Sequence, residues 1–442
     1  MTKITKRMND IMVRDKKIFL TLPRVPYPLV LDRGEGDFAY DIEGKKYIDF
    51  SSFIGVYNMG INSNAKVRAA IKKQVDKLMH NALLEFYSEL PVEFAETLVR
   101  MFPPQESWKV FLSNSGTEAV EAAIKFSRLF TKRQYNMAFY NAFHGRTIGS
   151  LALTNSKIVQ KEYFGPFQGA IHVPFPYCYR CPFSLEYPGC GMACVDYIKK
   201  YPLSKEVNPK EVAAFFAEPV QGEGGYVVPP MDYYKELKKI LQEHDILFVA
   251  DEVQAGYMRT GKFLSLDHFG VTADIYTMAK AIGAGLPLGV TIVNKKLGDI
   301  PAGSHSNTFG GNLAVIAGAY EQLKQVRSIQ KKLEHDIKAK GVIALKRLKS
   351  MQESYEIVGD ARGLGLMLAI ELVKDKKTKE PAVDERREIV NGCFDSGLLL
   401  LEAGQSTIRI APPVTISETN LSKGLDILED VVRKANSKMV AK

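Results

Sequence analysis

No stretch of this 442-residue chain is apolar over a membrane-spanning length, and no tract is of low complexity. The basic N-terminus, "MTKITKRMNDIMVRDKKIFLTLP", lacks the apolar segment of a signal peptide, and Asp10 and Asp15 argue against a transit peptide. A cytoplasmic location is expected by default. There is no internal repeat. The net charge is +9, but the Lys and Arg residues are scattered and often neighbour acids, as in "KDKKTKE". Without a concentrated basic stripe interleaved with aromatics, nucleic-acid binding is not expected. A positive field that draws small anionic substrates is the better use of that charge. The remaining composition, 46% hydrophobic and 25% charged, is ordinary for a soluble globular enzyme. The length predicts more than one domain.

Between about residues 105 and 300, short apolar runs alternate with helical patterns, which predicts βαβ units and a parallel or mixed sheet. "KVFLSNSGTEAVEAAIKFSRLF" reads as a strand, a small-residue turn and an Ala-rich helix. "EVAAFFAEPVQGEGG" and "ILFVADEVQAGYMRTGKF" are buried runs that end in acids, and "DYYKELKKILQEHD" has helical spacing. "ADIYTMAKAIGAGLPLGVTIVN" ends its run at Lys280. Beyond about residue 310 come a long helical stretch, strand-like "GLGLMLAIELV", and a last helix with Leu421, Leu425, Leu428 and Val432 on one face and Ser417 as N-cap. The expected organisation is an N-terminal segment, 1–60, packing with a small α+β domain, 311–442, and a large α/β domain, 61–310.

An acid at the end of a strand buried on both faces needs a reason, because charge is costly there. Ser115-Gly116-Thr117, Glu218 with Glu223, Asp251, and Lys280 each lie at or just after the C-terminal end of an apolar run. In an open parallel sheet those ends line one crevice, where ligands bind. Any one of them alone is ordinarily a solvated loop residue, and Ser115 alone a plain helix cap. Together they describe a phosphate cradle at a helix N-terminus, an amine whose small and apolar neighbours favour Schiff-base chemistry, and a carboxylate for a protonated pyridine nitrogen. That is a pyridoxal 5'-phosphate site.

At these residues the chain resembles the class III pyridoxal-phosphate-dependent aminotransferases, the family of 4-aminobutyrate, ornithine and acetylornithine aminotransferases. The matching segments are "SNSGTEAVEAAIK", "FHGRT", "EPVQGEGG", "DEVQAGYMRTGKF", "AKAIGAGLPLG", "NTFGGN" and "IRIAPP", in the family's order over almost the whole chain. The resemblance implies the aspartate aminotransferase-like fold type I. It implies that Lys280 holds the cofactor and serves as general base and acid, and that Asp251 pairs with the pyridinium. Phe143 and Val253 would cover the two ring faces, with Gln254 near the phenolic oxygen. Ser115, Gly116 and Thr117 would bind the phosphate, with Glu218 also at the cofactor. Thr308 would reach the phosphate of a neighbouring subunit, which makes the enzyme a homodimer. Arg409 would bind the substrate α-carboxylate and Glu223 would neutralise Arg409 when an ω-amine is the donor. Arg146 is a candidate for the carboxylate of an ω-amino acid, and Ile54 and Tyr87 for the pocket wall. The chain departs from the family at "NMGINSNAKV" and at Ala255 and Met258, departures that bear on the substrate.

The implied activity is ping-pong transfer of an amino group from an amino acid, such as 4-aminobutyrate or an ornithine-like donor, to 2-oxoglutarate. The same residues also suit an amino acid racemase. A reading from another class, a non-catalytic basic binding protein, leaves the Lys280–Asp251 pair without a purpose. Four of the five cysteines lie in "YCYRCPFSLEYPGCGMACVDY": Cys178, Cys181, Cys190 and Cys194. Their spacing allows a structural zinc or iron–sulfur site, two disulfides, or unligated, partly buried thiols. Cys393 reads as isolated core.

Overall fold

The computed structural model describes residues 4–20, 25, 27–62, 64–104, 107–167 and 169–441. Residues 1–3 and 21–23 of the N-terminal stretch quoted above lie outside them. The chain divides into two compact units, Met1–Asn64 with His335–Lys442, and Ala65–Glu334. The second division falls inside a single helix, Leu313–Ser354.

The larger unit is built on a seven-stranded mixed sheet. Its order is Trp108–Ser113, Gly289–Asn294, Ile275–Met278, Leu247–Asp251, Val212–Ala217, Tyr135–Phe139 and Ala170–Val173. Gly289–Asn294 runs antiparallel to both its neighbours, and every other pairing is parallel. The remaining strands therefore point one way and end at one edge. Val212–Ala217 is buried at all six positions, the signature of a strand covered on both faces. One cover is the helix Gly116–Thr131, whose Val120, Ala122, Ala123, Ile124 and Phe126 pack with Ala138, Ala214, Phe216, Val249 and Ile275. Alanines on that face let the helix lie close to the sheet, while each buried Val, Ile or Phe contributes about 1.5–3 kcal/mol. The helix Tyr233–Glu243, read from its spacing, buries Tyr233, Tyr234, Leu237, Ile240 and Leu241.

The smaller unit holds two four-stranded sheets. In one, Lys46–Asp49 of the N-terminal segment pairs in parallel with Leu398–Leu399. In the other, Thr407–Ile410 lies between Met367–Leu372 and Leu401–Ala403. The last helix, Glu418–Val440, is capped by Ser417, whose side chain accepts from Asn420 N at 3.1 Å. It buries Leu421, Leu425, Leu428 and Val432, the face expected from the sequence. Cys393 is fully buried core. Among the described residues no helix is long and apolar enough to cross a membrane.

Candidate active site

The strand Leu247–Asp251 ends in two adjacent carboxylates with different environments. Asp251 is 3% exposed; its Oδ1 accepts from Val253 N at 3.1 Å, and its Oδ2 lies 2.7 Å from His144 Nδ1. His144 is itself buried and held by its own backbone N–H on Thr154 Oγ1 at 2.9 Å. Burial opposes charge on that imidazole, but the hydrogen bond to Asp251 and the charges of Asp251 and Glu218 outweigh it, so its pKa is raised. Glu252, one residue on, is sealed. Its oxygens accept from Ser265 N at 2.9 Å, Ser265 Oγ at 2.5 Å and Leu266 N at 2.9 Å, where they cap the short helix Ser265–Phe269. Burial pushes its pKa up to about 7 against the pull of those donors.

Lys280 follows the neighbouring strand, Ile275–Met278, and opens a single turn of 3₁₀-helix, Lys280–Gly283. Its φ of 51° is left-handed, a conformation that costs a non-glycine residue on the order of 1–3 kcal/mol and that clusters at functional sites. Gly116 sits against both strand ends: a Cβ there would lie 3.0 Å from Val253 Cγ1 and 3.4 Å from Ala279 Cβ. The helix start, the Asp251 turn and the residue before Lys280 thus meet at one point. Ser115 caps that helix through its side chain, which accepts from Glu118 N at 3.3 Å. The Thr117 hydroxyl lies 2.6 Å from Ser150 Oγ and 2.9 Å from Thr147 Oγ1, which ties the helix to the segment after Arg146.

A third strand end supplies Glu218, fully buried, with Oε1 accepting from Phe143 N at 2.9 Å and Oε2 from Gly222 N at 2.8 Å. Burial raises its pKa to about 7, with the His144 charge and the two backbone donors acting the other way and Asp251 adding to the rise. Gln254 lies over Gly222, and its Oε1 is buried with no hydrogen-bond partner among the described residues. The Arg146 guanidinium sits 5.5 Å from the Phe143 ring centroid and is exposed. Thr308 and Tyr87 are exposed as well. Glu223 pairs with Lys157 Nζ at 2.7 Å. In the smaller unit Arg409 is 7% exposed, with Nε donating to Glu402 O at 2.9 Å. Beside it, Ser52 Oγ donates to Ala411 O at 2.7 Å and holds a left-handed turn, Ser52–Gly55, that carries Ile54 half-exposed.

These residues fit pyridoxal phosphate on three observations. A buried carboxylate stands at a strand end, a side chain in place of the glycine at the helix N-terminus would crowd Val253 and Ala279, and a buried amide oxygen lacks a partner among the described residues. The chain belongs to the class-III aminotransferases: the model of that family matches residues 22–432. It is 39% identical to the leucine/methionine racemase of Thermococcus litoralis over 428 residues, 96% of both chains. It is 35% identical to a probable 4-aminobutyrate aminotransferase of Bacillus subtilis over 405 residues, 91% of this chain and 92% of that one. A crystal structure of a Bacillus anthracis aminotransferase superposes with a TM-score of 0.89 at 30% identity, covering 98% of this chain and 100% of that one. Pyridoxal phosphate is the cofactor of this family, and fold type I is its fold.

The four cysteines of the excursion come together in one place. Cys178, Cys181, Cys190 and Cys194 are all free thiols that line one small cavity with Pro176, Phe183, Leu185 and Pro230. Among the described residues no group of three or more His, Cys, Asp or Glu side chains is arranged to hold a metal ion. The cavity walls are apolar, and burial pushes the Cys178 and Cys194 thiols up. Three features escaped the sequence reading. His144 was inside a quoted motif, but only its contact with Asp251 gives it weight. Lys157 has no motif, and the left-handed turn at Ser52–Gly55 is mostly non-glycine and leaves no composition signal.

Proposed function

We propose that this protein is a pyridoxal-phosphate-dependent aminotransferase that moves an amino group from an amino acid, with an ω-amino acid of the 4-aminobutyrate type as donor, to 2-oxoglutarate. The observation that carries this reading is the buried Asp251–His144 pair beside the strained Lys280, in a chain that matches the aminotransferase family over nearly its full length. When bound, the cofactor supplies an electron sink for the pair left by breaking the C–H bond beside the amino group. Lys280 would take that proton and return it at the next position. Asp251, steadied by His144, would keep positive charge at the pyridine nitrogen. Phe143 and Val253 would close the ring faces, and Gln254 would meet the ring oxygen. Ser115, Gly116 and Thr117 would hold the phosphate, helped by Thr308 from a second copy. Glu218 would fix the Phe143 and Gly222 loops. Arg409 would fork onto the α-carboxylate, Glu223 would screen it, and Arg146 would meet the far carboxylate of an ω-amino donor. We place the enzyme in the cytoplasm as a homodimer.

The 39% identity to a racemase favours one second reading, in which the proton returns to the same carbon on its other face. One experiment separates the two. The purified holoenzyme is given a panel of amino donors with 2-oxoglutarate, and each donor alone is followed by chiral chromatography. Glutamate formation without D/L interconversion is the expected result. Interconversion of a branched or sulfur-containing amino acid in the absence of any 2-oxo acid, with no glutamate from the panel, overturns the aminotransferase reading in favour of the racemase.

A further inference from the structure

A second cavity of about 300 Å³ opens in the larger unit between the C-terminal half of the helix Gly116–Thr131, the helix Ile148–Leu153 and the segment around Pro166. That is within the size range of small-molecule sites, about 300–1,000 Å³. Its walls are Ile124, Ile148, Ala152, Leu153 and Phe167, with two polar residues among them, Arg128 and Asn136. The Arg128 side chain makes no hydrogen bond or ion pair among the described residues, and burial lowers its pKa while Glu121 acts to raise it. Glu121 is committed elsewhere, accepting from Ser150 N at 2.8 Å and from the Thr147 hydroxyl. Asn136 is 1% exposed, and its Oδ1 is buried with no hydrogen-bond partner among the described residues. Leaving a buried carbonyl unmet is costly, so its retention calls for a reason. Gly169, at φ +70°, leaves room for the guanidinium: a Cβ there would lie 2.9 Å from Arg128 Nη2.

We propose that this cavity is a second binding site, for a free α-amino acid with an apolar side chain. The chemistry matches at three points. The carboxylate meets the Arg128 guanidinium, the ammonium donates to Asn136 Oδ1, and the side chain lies on Ile124, Leu153 and Phe167. A 2-oxo acid brings no donor for Asn136, and a dicarboxylate places a second charge on apolar walls. The site is separate from the cofactor end: the eleven helical steps from Thr117 to Arg128 span about 16 Å. It is nonetheless mechanically linked to it, since the helix Ile148–Leu153 forms one wall and its Ser150 hydroxyl lies 2.6 Å from Thr117 Oγ1.

The test uses holoenzyme reduced with borohydride, which fixes the cofactor on its lysine and blocks turnover, so the readout does not depend on which reaction the enzyme catalyses. Crystals soaked in L-selenomethionine are expected to show an anomalous peak beside Arg128 and Asn136. Calorimetry with L-leucine is expected to show one site per chain, weakened roughly ten- to a hundredfold in Arg128→Met and also weakened in Asn136→Leu. Leucinamide, which lacks the carboxylate, is expected to bind the wild type no better than L-leucine binds Arg128→Met. Equal affinity of wild type and Arg128→Met, or no peak in the cavity, overturns the proposal. Circular dichroism of both variants establishes that a loss of binding is not a loss of fold.

Discussion

Asp251 and Cys178 mark two regions of the larger unit that hold similar stocks of reactive side chains and use them differently. At the sheet edge, Asp251, His144, Glu218 and Glu252 are buried, and each is fixed by two or more directed contacts, to backbone N–H groups or to each other. In the excursion after Val173, four thiols line one cavity among prolines and aromatics, and none is bonded to another. Four cysteines at suggestive spacing are a weaker signal than one aspartate at a strand end. The sheet dictates where Asp251 points, whereas nothing in the C-x-x-C spacing dictates that the sulfurs converge with ligand geometry.

The largest break in this comparison is expected at the sheet edge. Lys280→Ala is expected to lose activity by at least about a thousandfold, within the range general acid–base groups supply, and to retain no borohydride-fixed cofactor. Asp251→Asn is expected to keep the fixed cofactor on Lys280 while losing about a hundredfold or more. Absorbance after dialysis, with and without borohydride, checks both. A fixed cofactor in Lys280→Ala would move the nucleophile elsewhere.

His144→Asn comes next. Asparagine donates one hydrogen bond to Asp251 but carries no charge, so a loss of roughly ten- to a hundredfold in kcat is expected, the scale of one charge-assisted hydrogen bond. The pH profile distinguishes this from simple loosening. In the wild type the raised imidazole pKa keeps His144 protonated below that value, and activity is expected to fall as pH rises through it. The variant is expected to lack that alkaline limb. An unchanged limb would mean that His144 only fills space.

Glu252→Gln tests the sealed neighbour of Asp251 and should act on stability rather than on chemistry. The folded protein keeps the Glu252 proton up to about 7, against 4.5 for the ordinary group. Protons are therefore bound more tightly by the native state, and this carboxyl's contribution is full below about pH 4.5 and lost as pH rises through about 7. Glu218 has the same sign and a similar value, so the wild type carries two such losses. Melting temperature against pH is expected to fall less steeply over that window in Glu252→Gln, with kcat within about threefold of wild type. A slope equal to that of the wild type would mean that Glu252 is ionised in the fold.

Much of this edge was legible because its signals are backbone signals. Apolar runs that end in Asp251, Glu218 and Lys280, and a small-residue turn before Gly116, report strand length and strand direction, and parallel pairing turns them into one crevice. Ser417 and the leucines of the last helix were legible for the same reason, since caps and period-3.6 faces are local. What stayed hidden depends on contacts far apart in sequence. His144 meets Asp251 across 107 residues, and Arg128 shares a cavity with Asn136 and Pro166 only after three elements pack. The left-handed turn at Ser52–Gly55 is set by the Ser52 hydroxyl on Ala411, a contact across 359 residues.

The smallest effect is expected in the cysteine excursion, and its smallness is the test. If the thiols are neither ligands nor cross-links, replacing Cys178, Cys181, Cys190 and Cys194 together by Ser removes four weakly polar sulfurs, three of them from partly buried residues, and adds hydroxyls that need partners. That is expected to lower the melting temperature by a few degrees, with a cost of a few tenths of a kcal/mol, about 0.5 at most, per site, and to leave the cofactor absorbance and kcat nearly unchanged. On the same premise, prolonged dialysis against a chelator is expected to change nothing in the wild type. Reductant is likewise expected to leave its melting temperature in place. A structural metal would release a far larger share of the folding energy on removal, since binding a structural ion is folding energy. A collapse of the quadruple variant together with stoichiometric zinc or iron in the wild type would therefore reverse the comparison and make the excursion the more tightly wired region.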